Sequence, residues 1–562
     1  MFDCSACGQI FPAGLRLFPP GAQHSCFRVM KLLRILWASL VALSVARAAE
    51  RGMPPNYWCT WSLQNYSHPE FSSEAPDALI FAGEQGARLA RHHLTEEIVF
   101  GPRGWARTHF PEDLRKGLFL VLDDGWDVPF GLHPKDASHR FGSLIVDENR
   151  FPSCTGAPAE RLKKLNQLAK DAGWRGIGLW VACQNARQSA TERPLSKDEA
   201  RAYWRERAAW SRDAGIEYWK VDWGDESGSL EYRRLMTEVG REIYPALIIE
   251  HALPQAPLND WKDDGRLDPS AFSRGGQLLD FSAVLRTYDV TWQLSLPTTI
   301  DRVVMLLRPR VDASPQGLLN CEDEVYVGAV LGCALGVMRS PLWRGVAGYD
   351  YDPFRLRKRW TEVERALRWQ QLAPPWPVDR EETLAISPEV NADTWTFGKS
   401  DTWFSPVIGQ PIRQAAPATV ARRLALPLVK RLEKETPYVV AARHPGGAVS
   451  LAALPRVGAD RQLHTPSANI SLLLSELPPH LAVFGRVHEL IVKVALPPVD
   501  GGRWRARDLA APHAPWVELG AVRVPEEPAT WKFSGEQLQR LGSAAQPAGD
   551  ESQPGVLLEF AP

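Results

Sequence analysis

The chain has 562 residues, more than one hydrophobic core usually supports, so two domains are expected. Its 65 Lys and Arg nearly balance 66 Asp and Glu, for a formal net charge of −1, which excludes the basic stripe of a nucleic-acid binder and an acidic tail. The 22 Trp are many, and such rings either fill cores or offer apolar platforms to the C–H faces of sugars.

Residues 30–48 start with Met30-Lys31, continue as an apolar run and end at the small-residue site Ala46-Arg47-Ala48. That is the pattern of a secretory signal peptide, with Met30 as the working start and residues 1–29 as an upstream mis-start. The run is short for a membrane span, although an uncleaved anchor is the alternative. Cys4, Cys7, His24 and Cys26 lie upstream, but one CxxC without a well-spaced second pair does not predict a metal site. Cys59, Cys154, Cys183, Cys321 and Cys333 remain in the mature part, odd in number and irregular in spacing, and do not predict a disulfide framework. The mature protein is expected to be soluble, and secreted or periplasmic, with no membrane or nucleic-acid partner.

From about residue 53 to 373, short apolar runs alternate with amphipathic stretches, the rhythm of parallel α/β architecture. Strands are predicted near 56–61, 117–123, 176–183, 216–222, 246–251, 279–288, 317–322 and 335–339, and helices over 83–92, 159–172, 197–214, 230–243, 298–307 and 355–372. Eight such units predict a (β/α)8 TIM barrel over 49–376. Pro374-Pro375-Trp376-Pro377 stops the last helix as a linker. Beyond it, short β-rich runs such as Tyr438–Ala442 and His488–Val494 predict a C-terminal antiparallel β-sandwich over 377–562. Residues 542–554, rich in Gly, Ser, Ala, Gln and Pro, read as a mobile loop.

In a βα barrel the active site forms at the C-terminal strand ends. Ionisable groups stand at five of them: Asp123-Asp124 with Trp126 after the second, Lys220 and Asp222 with Trp223 after the fourth, Glu250-His251 after the fifth, Arg286 and Asp289 after the sixth, and Glu322-Asp323-Glu324 after the seventh. Unpaired buried carboxylates are costly, so a polar pocket explains them better than fold stability does. Strand alternation puts Lys220 and Asp222 on one face with Tyr218 deeper, and a carboxylate beside a cation stays ionised. A structural ion pair is the plain alternative. Two carboxylates in different surroundings suit glycoside hydrolysis, with Asp222 as nucleophile and Asp289 as general acid and then base. A hard cation among Asp123, Asp124, Asp222, Glu250 and Asp289 is the rival reading, opposed by the charges of Lys220 and Arg286. No cofactor is expected. Trp126 and Trp223 follow acidic strand ends and read as sugar platforms, whereas His251 reads as a hydrogen-bonded support; Asn185, Glu322, Asp323 and Glu324 stay open between substrate contact and solvated rim.

The segments Pro54–Trp61, Leu122-Asp123-Asp124-Gly125-Trp126, Phe151-Pro152, Gly176–Trp180, Tyr218–Asp222 and Arg286–Asp289 together resemble the α-galactosidase (melibiase) superfamily, glycoside hydrolase families twenty-seven and thirty-six, over about residues 53–373. The resemblance implies a barrel followed by a β-sandwich and a retaining exo-glycosidase that uses two aspartates and no metal. It implies that Asp222 is the nucleophile, that Asp289 is the acid/base, and that Asp123, Asp124 and Lys220 hold the sugar; Glu250 and Arg286 are looser substrate-binding matches, and Trp61 is expected beside them as a further substrate-binding residue. The sequence departs from the family pattern at Asn56–Trp61, at Gly224 in place of a cysteine, at Ala182–Asn185, and in the spacing of Arg286 from Asp289. The chemistry therefore transfers better than the sugar: an α-galactoside is expected, with an N-acetyl-α-galactosaminide, a β-L-arabinopyranoside or an α-1,6-glucan as alternatives, or sugar binding without catalysis.

Overall fold

Eight parallel strands close into a barrel in chain order: β1 (Tyr57–Cys59), β2 (Phe119–Leu122), β3 (Gly176–Val181), β4 (Tyr218–Val221), β5 (Ile248–Ala252), β6 (Val284–Arg286), β7 (Leu318–Glu322) and β8 (Ala334–Val337). The structure is a computed structural model and describes residues 53–61, 64, 94–108, 110–130, 138–252, 269–287, 292–308, 317–322, 324–339, 359–378, 383–397, 409–458, 462–495, 502–520, 522–523 and 529–561. The expected leader over 30–48, the expected helix over 83–92, Asp289 and Asp323 lie outside these residues.

Both faces of each strand are covered, so β2 and β3 read as unbroken apolar runs rather than alternating ones. Outward residues pack under helices such as Lys197–Ala214, whose Ser196-x-x-Glu199 start forms a capping box, and Leu230–Ile243, capped by Ser229. Inward residues recur every second position: Tyr57 and Cys59 on β1, Phe119 and Val121 on β2, Tyr218 on β4 and Ile248 on β5 form one cluster inside the barrel. Gly336 on β8 faces the same interior because a Cβ there would lie 2.4 Å from the Tyr57 hydroxyl and 2.9 Å from Asn320 Nδ2. Among the described residues, no helix is long and apolar enough to cross a membrane, and Cys59, Cys154, Cys183, Cys321 and Cys333 are buried free thiols.

The C-terminal region is a sandwich of an eight-stranded and a five-stranded sheet, with Val439, Leu451 and Val483 of one packing against Ile470, Leu490 and Phe533 of the other. The expectation of antiparallel sheets is corrected at three places. Strands Thr419–Arg422 and Tyr438–Arg443, Val449–Leu454 and Leu481–Gly485, and Ala468–Leu474 and Glu489–Val494 pair in parallel. The chain alternates between the sheets here, so these neighbours are reached by crossovers instead of hairpins.

The larger sheet turns its other face to the barrel: Val420, Val440 and Phe484 join the core that contains Val330 and Leu367. Trp376 of the expected linker is buried at this junction under the Arg422 guanidinium, 4.0 Å from its ring. Residues 542–554 also depart from expectation. Asp550 accepts hydrogen bonds from the Thr361 amide at 3.0 Å and from its hydroxyl. The Gln553 amide donates to Glu362 at 2.8 Å, and Gln553 O accepts from Arg365 and Tyr326 at 2.9 and 2.8 Å. Composition predicts mobility because those side chains are polar; here the Asp550 and Ser552 side chains accept from the Thr361 and Glu362 amides at the buried start of the barrel helix Thr361–Leu372.

Arg365 of that helix also forms a two-point pair with Asp508 of the sandwich, at 2.9 and 3.0 Å, with both side chains almost wholly buried. Removing one partner of such a pair strands a buried charge. Arg365→Met is expected to lower unfolding free energy by about 3–5 kcal/mol in urea titration; an unchanged midpoint would show that the pair does not hold the two halves together.

Candidate active site

Asp222 directly follows β4, and its amide donates to Val181 O at 3.0 Å, so it continues the strand's alternation behind Tyr218 and Lys220. The chain can turn away after Trp223 because residue 224 is glycine: at φ 149° it passes the Cys183 backbone so closely that a Cβ would lie 2.7 Å from it. Asp222 Oδ1 lies 3.0 Å from Arg286 Nη2, and Oδ2 accepts a hydrogen bond from Trp180 Nε1 at 3.0 Å. Burial pushes this carboxyl upward, but Arg286, Lys220 and the Trp180 N–H together outweigh it and hold Asp222 below the usual carboxylate value.

The surrounding charges form one network. Lys220 Nζ donates to Asp123 Oδ2 at 2.8 Å and to Cys59 Sγ at 3.4 Å, and lies 3.7 Å from Glu322 Oε1. Burial opposes the ammonium charge, yet Asp123 leads the groups that more than restore it, so Lys220 stays a cation. Burial, then Asp123, raises the Cys59 thiol, which stays protonated and donates to Asp123 Oδ2 at 2.9 Å. Arg286 Nη1 donates to Glu322 Oε1 at 3.2 Å, while its Nε lies 3.7 Å from Glu250 Oε1. Glu250 accepts from Tyr57 at 3.2 Å, from Tyr218 at 2.8 Å and from Asn320 at 2.5 Å. Within this group Asp222 is the carboxylate that reaches solvent: its side chain is 14% exposed, against 5% for Asp123, 1% for Glu322 and 0% for Glu250.

The structure thus brings together Asp123, Lys220, Asp222, Glu250 and Arg286, with Asp124 buried beside Asp123 and donating its amide to Asp123 Oδ1 at 2.9 Å. Trp223 is half-buried, edge-on to Phe141 and tilted against Trp180, and Trp61 is half-buried against the barrel-interior cluster. Two expectations are corrected. Trp126 is fully buried in the core with its N–H on Trp180 O at 2.9 Å, so its ring is no platform. Glu250 is sealed beneath the site by three donors and supports Arg286 instead of facing a ligand. Glu322, left open by sequence, is a buried bridge between two cations, and Asn185 is buried.

His251 matches its reading as a support. Arg233 can only donate, so His251 Nδ1 accepts from it at 3.1 Å and the proton sits on Nε2, facing Thr237 Oγ1 at 2.8 Å. Burial, then Arg233 and Arg241, drives this ring far below ordinary histidine values and keeps it neutral. Arg233 in turn donates to Asp222 O at 3.0 Å. Sequence reasoning passed over Tyr57, Asn320 and the role of Trp180; the signal was available in strand parity, since Trp180 is level with Lys220 across β3 and β4.

Asp123, Asp222, Glu250 and Glu322 each face a cation or a donor, and among the described residues no group of three or more His, Cys, Asp or Glu is placed to hold a metal ion. An open cleft of about 830 Å³ lies elsewhere, on the sandwich. Its charges balance, Arg486 and Arg540 against Glu489 and Glu536, and no Trp, Tyr or Phe lines it, so the chemistry points to the barrel.

No family model matches the chain, and no curated protein matches it. Solved structures similar to it include a GH27 β-L-arabinopyranosidase from Geobacillus stearothermophilus, at 12% identity over 91% of this chain and 96% of that one, with a TM-score of 0.38. An α-galactosidase from Saccharomyces cerevisiae, solved with raffinose, aligns at 11% identity over 91% and 95% of the two chains, with a TM-score of 0.32.

Asp127, just past β2, anchors the wall of the site: its Oδ2 accepts from the Gly142 and Leu144 amides at 3.0 and 3.3 Å. Burial outweighs these bonds and pushes its carboxyl from 3.8 up to about 6. Between about pH 4 and 6 the folded protein keeps a proton that the unfolded chain has lost, so stability falls as pH rises through this window. The full contribution is on the order of 3 kcal/mol. Asp127→Asn removes the titration while keeping an acceptor for both amides. The stability difference between wild type and variant, followed by denaturant titration from pH 4 to 7, should shift in the variant's favour with rising pH; a constant difference would contradict the assignment.

Proposed function

We propose that this chain is a retaining, exo-acting α-glycosidase of the α-galactosidase superfamily that removes terminal α-galactosides from oligosaccharide or polysaccharide substrates. The supporting observation is Asp222: an ionised carboxylate at a barrel strand end, flanked by Arg286 and Trp180, and more solvent-exposed than the carboxylates packed around it. In this reading an Asp222 oxygen attacks the anomeric carbon as the bond to the leaving oxygen breaks, and Asp289 gives its proton to that oxygen. Water then adds to the anomeric carbon, its proton passes to Asp289, and the Asp222 carboxylate is released. One water is consumed, and two displacements restore the original configuration. Asp123, Asp124 and Lys220 form the polar end of the sugar site, and Trp61 and Trp223 offer ring faces. Arg286 keeps the nucleophile ionised. No cofactor takes part in this scheme, and the leader at 30–48 directs the enzyme out of the cytoplasm.

Aryl glycosides tested against the protein beginning at Ala49 should include the α-galactoside, N-acetyl-α-galactosaminide and β-L-arabinopyranoside, with an α-1,6-glucan alongside. Release from the α-galactoside, lost by more than about a thousandfold in Asp222→Ala and strongly reduced in Asp289→Ala, is the expected result. Release from another member would change the sugar and leave the chemistry; binding without release from any would replace the enzyme by a sugar-binding protein. Arg286→Gln removes the cation that opposes burial at Asp222, so the acidic limb of the kcat/KM profile should move up by about one pH unit or more. A limb that stays in place would separate Arg286 from the ionisation of the nucleophile.

A further inference from the structure

Among the described residues, Arg286 divides its guanidinium among three carboxylates: Nη2 lies 3.0 Å from Asp222, Nη1 lies 3.2 Å from Glu322, and Nε lies 3.7 Å from Glu250. A guanidinium free to turn prefers to meet a single carboxylate with two parallel N–H groups. Such a clamp on Asp222 would add a second guanidinium N–H on Oδ2, the oxygen that already accepts from Trp180 Nε1 at 3.0 Å, and so weaken the carboxylate as a nucleophile. Glu322 stands where it can prevent this, because its Oε1 faces Arg286 Nη1 on one side and Lys220 Nζ, at 3.7 Å, on the other. Glu322 is 1% exposed, so water does not compete for either cation at that oxygen.

We propose that Glu322 is a positioning residue of the glycosidase reaction: it holds Arg286 to a single contact with Asp222 and balances the charge of both cations, leaving the nucleophile free to attack carbon. This rests on the reading of Asp222 as the nucleophile. Among the described residues, the charged and titratable groups acting on Glu322 and its cations are Lys220 and Tyr218 from β4, Glu250 from β5, Arg286 from β6, Tyr57 and Cys59 from β1, and Asp123 after β2. Asp222 itself is faced by Arg286, Lys220, Trp180 and Arg233. Removing the negative charge of Glu322 leaves more of the field of Arg286 and Lys220 on Asp222, so the acidic limb should move down, the opposite of the shift expected for Arg286→Gln. A carboxylate that serves merely to balance buried charge would alter the unfolding midpoint and leave that limb in place.

The test uses the glycoside that the wild type hydrolyses, with kcat, KM and the pH profile measured for Glu322→Gln and Glu322→Asp beside the thermal unfolding midpoint. In Glu322→Gln, kcat is expected to fall by about tenfold or more with KM changed by less than about threefold, and the acidic limb to move to lower pH. Glu322→Asp restores the charge and should return the limb to its wild-type position while kcat stays reduced. If Glu322→Gln does not fold, Glu322→Asp decides: reduced kcat with the limb in place supports the proposal, and wild-type kcat overturns it. A wild-type kcat and limb in Glu322→Gln overturns it as well, as does loss of activity in both variants without movement of the limb. Wild-type turnover with insensitive variants removes this inference alone, whereas a wild type that hydrolyses no glycoside removes the proposed function and this inference with it.

Discussion

The buried guanidinium of Arg286 is the interaction on which the candidate site depends. A cation that is 1% exposed costs several kcal/mol of lost hydration unless carboxylates surround it. Asp222, Glu322 and Glu250 do so, but each comes from a different strand, β4 or its end, β7 and β5. The barrel's parallel register is therefore an electrostatic requirement as well as a packing one. A one-residue slip of β4 or β7 would turn its carboxylate into the helix layer and leave Arg286 uncompensated. Lys220 makes a second such centre with Asp123, and Glu322 joins the two. Positive and negative charges alternate from Asp123 through Lys220, Glu322 and Arg286 to Asp222, ending on the group that meets solvent.

Below that chain lies a layer of neutral donors. Tyr57, Tyr218 and Asn320 converge on Glu250, and burial raises both phenols so that they remain O–H donors. Burial also raises Glu250 against the pull of Arg286 and Asn320. Three aligned donors replace the water such a carboxylate would otherwise need, which is how a polar floor can exist inside a barrel that is closed elsewhere by Phe119, Val121 and Ile248. A second support reaches Asp222 from outside the barrel, where neutral His251 holds Arg233 on the Asp222 carbonyl. The aspartate is thus fixed at its backbone by one arginine and at its side chain by another.

Local rules made the barrel readable. All eight strands lie where apolar runs predict them, and helices Lys197–Ala214 and Leu230–Ile243 begin at serines that cap them. Helix Val325–Leu331 escaped because every residue in it is buried between barrel and sandwich, which erases the one-sided pattern that marks a helix. Strand direction in the sandwich escaped because crossovers between sheets leave no mark in a strand's own residues. The same limit applied at the site. Alternation for Lys220 and Asp222, and strand-end position for Glu250 and Arg286, were enough to bring these residues together, but not to tell which side chains other donors had already claimed. Trp126 and Trp180 look alike in sequence, yet one N–H serves a core carbonyl and the other serves Asp222.

The sandwich contributes to the barrel through the same economy of buried charge. Arg365 points out of the helix that follows the last barrel strand, and its guanidinium would be stranded without Asp508 and Gln553 O. Asp550 and Glu362 similarly close the helix start against the segment 542–554, whose composition alone reads as loose. The same helix reaches the barrel's seam through Gln370, which donates to Cys333 O just before β8 and accepts from Asn56 just before β1, so the sandwich braces the barrel where the last strand returns to pair with the first. Closure brings Gly336 against Tyr57, and Tyr57 donates to Glu250 beside Arg286. The seam is therefore continuous, through two contacts, with the guanidinium that faces Asp222.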